Sequence, residues 1–178
     1  MVIKMEKTLK KNLVYKGKIL ELYNDDVLCE NNVQSKREIV SHNGGAAVLL
    51  VNKSKQVLLI KQYRYAYGEE LFEIPAGKLE KGEGPYNAAL RELEEETGCK
   101  TDKLESLGVI YPTCGYSNEK IYLYLARSFI TTATNFDIDE SIESKWYDIK
   151  DCLKMIEEGT IKDAKTIVAI SNYLNFKK

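Results

Sequence analysis

The sequence predicts an α+β fold or a sheet layered between helices, on three observations. First, strand signals come before and after one strong helix signal, and helices close the chain; a doubly wound sheet would alternate strand and helix throughout. Second, residues 46–51 (AAVLLV) form a continuous apolar run, as expected of a strand buried on both faces. Third, Tyr86, Ala89, Leu90, Leu93 and Thr97 recur at i, i+3, i+4 and i+7, one apolar stripe of a 3.6-residue period.

Taken in order, residues 1–12 are rich in charge and are expected to be frayed or loosely attached. Residues 13–32 hold two or three short strands, with Gly17, Asn24-Asp25 and Asn31-Asn32 as turn signals. Residues 34–41 read as a further strand, closed by Gly44-Gly45. Strands follow at 46–51, 57–63 and 71–75. Gly84 and Pro85 then start a helix over about 85–97, Pro being suited to a first-turn position, and Gly98 stops it. Strands are expected at 104–111, 120–129 and 144–149, and helices at 151–158 and 163–176. The last of these carries Ile167, Ile170 and Leu174 at helical spacing.

A chain of 178 residues is one ordinary domain with room for a small appendage. Its net charge of −1 at pH 7 gives no basic footprint for nucleic acid. No apolar run approaches the roughly 18 residues that suggest a membrane span, and the N-terminus lacks a secretory h-region. A cytoplasmic location is the expectation. Cys29, Cys99, Cys114 and Cys152 show no zinc-like pairing and are expected as free thiols. His42 is the only histidine; it sits in SHNGG and is expected on a surface loop.

The helix at 85–97 carries Glu92, Glu95 and Glu96 within about one turn, on a side other than the apolar stripe. Like charges at i,i+4 cost roughly 0.2–0.5 kcal/mol per pair, and the helix C-terminus disfavours more negative charge. Arg91 can relieve Glu95 at i,i+4, whereas Glu92 and Glu96 lack a basic residue at i±3 or i±4 within the helix. An acidic solvated face would explain this pattern; so would a site for a hard divalent cation, whose charge removes the repulsion.

The wider spacing separates the two. Gly77, five residues, Glu83, seven residues, then Arg91-Glu92-Leu93-Glu94-Glu95-Glu96-Thr97-Gly98-Cys99 resembles the Nudix hydrolase signature at every fixed position. Cys99 stands where that family usually has a bulky aliphatic residue. The resemblance implies the family's α/β/α sandwich with a mixed sheet over residues 41–178. Residues 1–40 resemble the small N-terminal antiparallel β subdomain of the ADP-ribose pyrophosphatase branch, which often mediates a homodimer there.

The family acts on nucleoside diphosphates linked to another group, with water attacking one phosphorus of the pyrophosphate. The resemblance implies Mg²⁺ (or Mn²⁺) held by Glu92, Glu96, Glu95 and the Ala76 carbonyl, with Gly77 allowing close approach of the chain. Arg91 would orient the glutamates and Glu83 close onto Arg91. The catalytic base is expected in the loop 136–143, with Glu140 preferred and Glu143 second; Glu95 and Arg91 complete the catalytic set. Arg37, Arg64, Glu73, Gly115 and Glu119 fall at substrate-binding positions, Arg suiting bidentate oxygen recognition. In the branch a proline stands where this chain has Cys114.

ADP-ribose, cleaved to AMP and ribose 5-phosphate, is therefore the favoured substrate. Another nucleoside diphosphate sugar or a dinucleotide is the alternative, since the signature does not distinguish them. A non-catalytic nucleotide sensor would usually have lost signature glutamates, and all are present here. No nucleic-acid or membrane partner is expected.

Overall fold

The computed structural model describes residues 5–133 and 142–177. The chain divides into two compact units, Met1–Gly44 with Tyr111–Lys120, and Gly45–Ile110 with Ile121–Lys178.

The first unit is an antiparallel sheet of β1 (Lys7–Lys10), β2 (Leu13–Lys16), β3 (Leu20–Leu28) and β4 (Gln34–His42). β3 is the spine: β1 and β2 share one of its edges end to end, and β4 runs along the other. Residues 7–10, expected to be loose, are thus a paired strand. Asn24 and Asp25 do not turn the chain; β3 runs straight through them. The Asn24 backbone carbonyl and the Asp25 side chain instead serve the β1–β2 connection, where Asn12 donates through Nδ2 to the Asn24 carbonyl and through its backbone N–H to Asp25 Oδ1, both at 3.0 Å. Asn32 does turn, at φ 60°. Residues 111–120 lie along β4, with the Val40 N–H donating to the Tyr116 carbonyl at 2.8 Å.

The second unit holds β5 (Gly45–Leu50), β6 (Gln56–Arg64), β7 (Glu69–Glu73), β8 (Ala76–Lys78), α1 (Pro85–Thr97), β9 (Cys99–Lys100), β10 (Glu105–Ile110), β11 (Ile121–Ala126), β12 (Ile130–Thr131), β13 (Glu143–Asp148), α2 (Ile149–Glu157) and α3 (Ala164–Asn172). A mixed sheet runs β10-β11-β5-β8, with β11 and β5 parallel. An antiparallel sheet runs β13-β6-β7, and β12 pairs with β9.

Every residue of β5 is buried. Its alternate side chains serve different cores, as the two-residue period of a strand requires. Ala47 and Leu49 pack with Leu123, Leu125, Cys152, Ile161, Ala169 and Ile170, on the side of α2 and α3. Ala46, Val48 and Leu50 pack with Ala88, Ala89 and Leu93 of α1. This is the expected α/β/α sandwich. α1 spans the predicted residues: Gly84 is extended at its start, Pro85 follows, and Gly98 at φ 63° donates its N–H to the Glu94 carbonyl. α2 begins two residues before the predicted start because Asp148 caps it, accepting from the Lys150 N–H at 2.8 Å. α3 passes at Tyr173–Lys177 into a wider π-type turn. No helix among the described residues is long and apolar enough to cross a membrane.

Candidate active site

Arg91 organises the acidic helix. Its Nε and Nη2 donate to the two carboxylate oxygens of Glu83, each at 3.1 Å. Nη1 donates to Glu92 at 2.8 Å and to Glu95 at 2.9 Å, and Nη2 also reaches the Lys78 carbonyl at 3.2 Å. A planar guanidinium can distribute donors this way; an ammonium cannot. The surrounding carboxylates, Glu83 first, hold the Arg91 guanidinium well above its ordinary pKa, and Arg91 in turn holds the Glu83 carboxyl below the usual range. Glu83 Oε2 also accepts from the Glu80 N–H at 3.0 Å, which fixes the loop before the helix.

Glu96 is not on an exposed side away from the apolar stripe, as its spacing suggested. It is only 4% exposed and belongs to the buried side of α1. Its Oε2 accepts from the backbone N–H of Ala76 at 2.8 Å. The strand β8 and the helix are thereby joined through a backbone N–H and a buried carboxylate. Beside them, Gly77 has no room for a side chain: a Cβ there would fall 1.8 Å from the Glu92 carboxyl carbon. An open cleft of about 350 Å³ is lined by Arg91, Glu94, Glu95 and Ala133.

Carboxylate and carbonyl oxygens are the donors that hard divalent cations take, and the space kept open at Gly77 lets backbone and carboxylate approach the same point. The residues fit such an ion by chemistry. Among the described residues, no group of three or more His, Cys, Asp or Glu stands in a metal-holding cluster; Arg91 occupies the centre of the carboxylates.

Arg64 and Glu73, both expected at substrate-binding positions, are paired with each other. Arg64 Nε and one terminal nitrogen donate to the two Glu73 oxygens at 2.6 and 2.7 Å. Glu73 is 1% exposed and also binds Lys165 of α3. Burial works to raise the Glu73 pKa, but Arg64 and Lys165 outweigh it and hold the carboxyl below its usual range. Lys165 further pairs with Asp163 at 3.0 Å. Asp163 accepts from the Thr166 N–H and hydroxyl, and Thr166 Oγ1 accepts from the Ile74 N–H at 2.8 Å. Sequence reasoning missed Lys165, Asp163 and Thr166. The available signal was a lysine in the first turn of a helix, the end that disfavours a cation.

Arg37, Gly115 and Glu119 belong to the first unit. Arg37 Nε donates to Glu6 at 2.9 Å. Gly115 is exposed in a turn. Glu119 Oε1 lies 3.3 Å from His42 Nδ1. His42 is not a loop residue: it ends β4, its side chain is 14% exposed, and Nδ1 accepts from the Gly44 N–H at 3.0 Å. Glu143 opens β13, exposed and opposite Lys61. Glu140 lies outside the described residues.

A NUDIX domain model matches residues 41–169. The chain is 42% identical, over 97% of its length and 94% of the relative's, to an ADP-ribose pyrophosphatase of Bacillus subtilis. It is 38% identical, over the same shares, to a methanol dehydrogenase activator of Bacillus methanolicus. Among solved structures it is similar to an ADP compounds hydrolase, with a TM-score of 0.85 and 19% identity over 99% of this chain and 96% of that one.

Proposed function

The chain belongs to the Nudix family, and on that footing we propose that it is a pyrophosphohydrolase cleaving ADP-ribose to AMP and ribose 5-phosphate. The observation that carries this reading is the Arg91-centred carboxylate cluster closing against Ala76 and Gly77, on a chain 42% identical to an ADP-ribose pyrophosphatase along nearly its whole length.

Members of this family depend on divalent metal in general, and Mg²⁺ is the ion we assign, Mn²⁺ being chemically close. Glu92, Glu95, Glu96 and the Ala76 carbonyl would hold it. When bound it would neutralise charge on the pyrophosphate oxygens and acidify a water. The chain's own residues do the rest. Glu96 is aimed by the Ala76 N–H. Arg91 keeps Glu92 and Glu95 on one side of the helix. Glu83 anchors Arg91 through both of its carboxylate oxygens. Arg64 turns its half-exposed guanidinium to the substrate's phosphate or terminal ribose. Glu73, with both oxygens engaged, acts through Arg64. Glu140 takes the proton of the attacking water as its oxygen bonds to phosphorus and the bridging P–O bond breaks. By the sequence resemblance, Arg37, Gly115 and Glu119 are assigned to substrate and the N-terminal strands to a homodimer.

A panel of ADP-ribose, nucleotide sugars and dinucleotides, with products identified, tests the reading. ADP-ribose is expected to give the highest kcat/KM, with AMP as product. A nucleotide sugar cleaved far faster than ADP-ribose overturns the substrate. Light scattering reads the dimer, and a monomer at micromolar concentration removes it.

A further inference from the structure

Glu73 is a buried carboxylate with two cations, Arg64 and Lys165, and the two are not equivalent. The Arg64 side chain is 40% exposed, whereas that of Lys165 is 9% exposed and is held from behind by Asp163. Removing the only counter-charge of a buried carboxylate is strongly unfavourable, because the charge left behind has neither water nor partner. With one cation on Glu73, Arg64 could not leave it for a substrate. With Lys165 in place, it can.

Two further features agree. Lys165 occupies the first turn of α3, just after the capping Asp163, where the helix dipole opposes a cation; capping or helix formation gives no reason for it to be there. Gln62 lies between Ile60 and Arg64 on β6, on the face shared with Leu71 and Glu73 by register. It is buried, and its Nε2 has no hydrogen-bond partner among the described residues. A buried donor left unpartnered on the face that carries Arg64 and Glu73 suits a ligand oxygen.

We propose that Lys165 is a positioning residue for substrate binding: it is the resident counter-charge of Glu73, and so releases Arg64 to turn toward the diphosphate of a nucleotide substrate. This rests on the assignment of Arg64 to the substrate made above. Lys165 touches no substrate, so its effect passes through Glu73 and is erased when Glu73 loses its charge.

The experiment is calorimetric binding of ADP, with Mg²⁺ present, to the wild type, Arg64→Ala, Lys165→Met, Glu73→Gln and the double variant Lys165→Met/Glu73→Gln. Lys165→Met is expected to weaken ADP binding about tenfold or more, the worth of one charge-assisted hydrogen bond. The double variant is expected to return to within about threefold of the wild type, since a neutral glutamine at that position no longer detains Arg64. Unaltered ADP binding by Lys165→Met, or a double variant that binds no better than Lys165→Met, overturns the proposal. Should Lys165→Met fail to fold, Lys165→Gln is read against the same criteria. Arg64→Ala separates the two levels: if it binds ADP as tightly as the wild type, the substrate role of Arg64 falls first; if it is weakened while Lys165→Met is not, only the role of Lys165 falls.

Discussion

The carboxylate of Glu92 occupies the space in which any side chain on residue 77 would begin. A Cβ at Gly77 would stand 1.8 Å from its carboxyl carbon and within 2.2 Å of both oxygens. Gly77→Ala is therefore expected to push Glu92 off its position while leaving the two cores intact. The expected loss is about a hundredfold in kcat/KM, in line with the sensitivity of catalysis to displacements of about 1 Å. Steady-state kinetics beside a urea melt check it; full activity in the alanine variant would show that Glu92 need not stand there.

Glu96→Gln tests charge apart from packing. The amide oxygen can still accept the Ala76 N–H, so folding is expected to survive. Loss of the negative charge is expected to cut turnover by roughly 10²-fold or more, and to raise the Mg²⁺ concentration needed for half activity. Glu92→Gln is expected to behave alike. Unchanged turnover in both would remove the metal assignment.

Glu140→Gln is expected to lower turnover by about 10²–10⁴-fold, the usual worth of a general base, with Mg²⁺ binding largely kept. Normal turnover excludes Glu140 and moves attention to Glu143.

Glu83 gives a pH prediction. Its folded pKa is depressed, chiefly by the hydrogen bonds from Arg91. Its contribution to stability is then complete above the unfolded carboxyl range and is lost as pH falls through the folded value. The stability gap between wild type and Glu83→Gln should be widest near neutral pH and close as pH falls below the ordinary carboxylate range. Urea titrations across that range measure it; a gap that widens in acid would contradict the assignment.

Thr166→Val should destabilise the fold by about 1–3 kcal/mol, because it strands the buried Ile74 N–H. The thiols give an independent check on burial. Cys152 is fully buried, and burial pushes its thiol up to about 12. Cys114 is exposed. A thiol reagent near the ordinary thiol pKa of about 8.5 is expected to label Cys114 in the native protein and Cys152 only after unfolding.

The fold was legible wherever local chemistry and tertiary packing agree. Pro85, Gly98 and the apolar stripe between them bound α1 because capping and burial select the same residues. The unbroken apolar run pointed to β5, since a strand covered on both sides needs no alternation. Where the two disagree, sequence reading failed. Asn24-Asp25 has turn chemistry, yet long pairing with β4 keeps it extended, and its polar groups serve a different turn. Lys7–Lys10 is exposed at every residue and half lysine, so only its pairing with β3 makes it a strand, and that partner is remote in sequence. In the site, Arg91 with Glu83, Glu92 and Glu95 could be read from spacing along the loop and helix. The link from Glu73 to Lys165 crosses 92 positions, and no local pattern encodes it.

The alternation along β5 has a mechanical consequence. Ala46 and Ala47 are neighbours in the chain but face separate interiors, one lying under α1 and the other under the C-terminal helices. A volume change on one side can be absorbed only by partners on that side, so each interior is free to drift in composition without the other. The backbone of β5 has no such freedom, because any bend in it disturbs both interiors at once. The helix that carries the carboxylates is thus mounted on a stiff beam braced from behind, and substitutions deep under α2 or α3 should reach the chemistry only if they bow that beam.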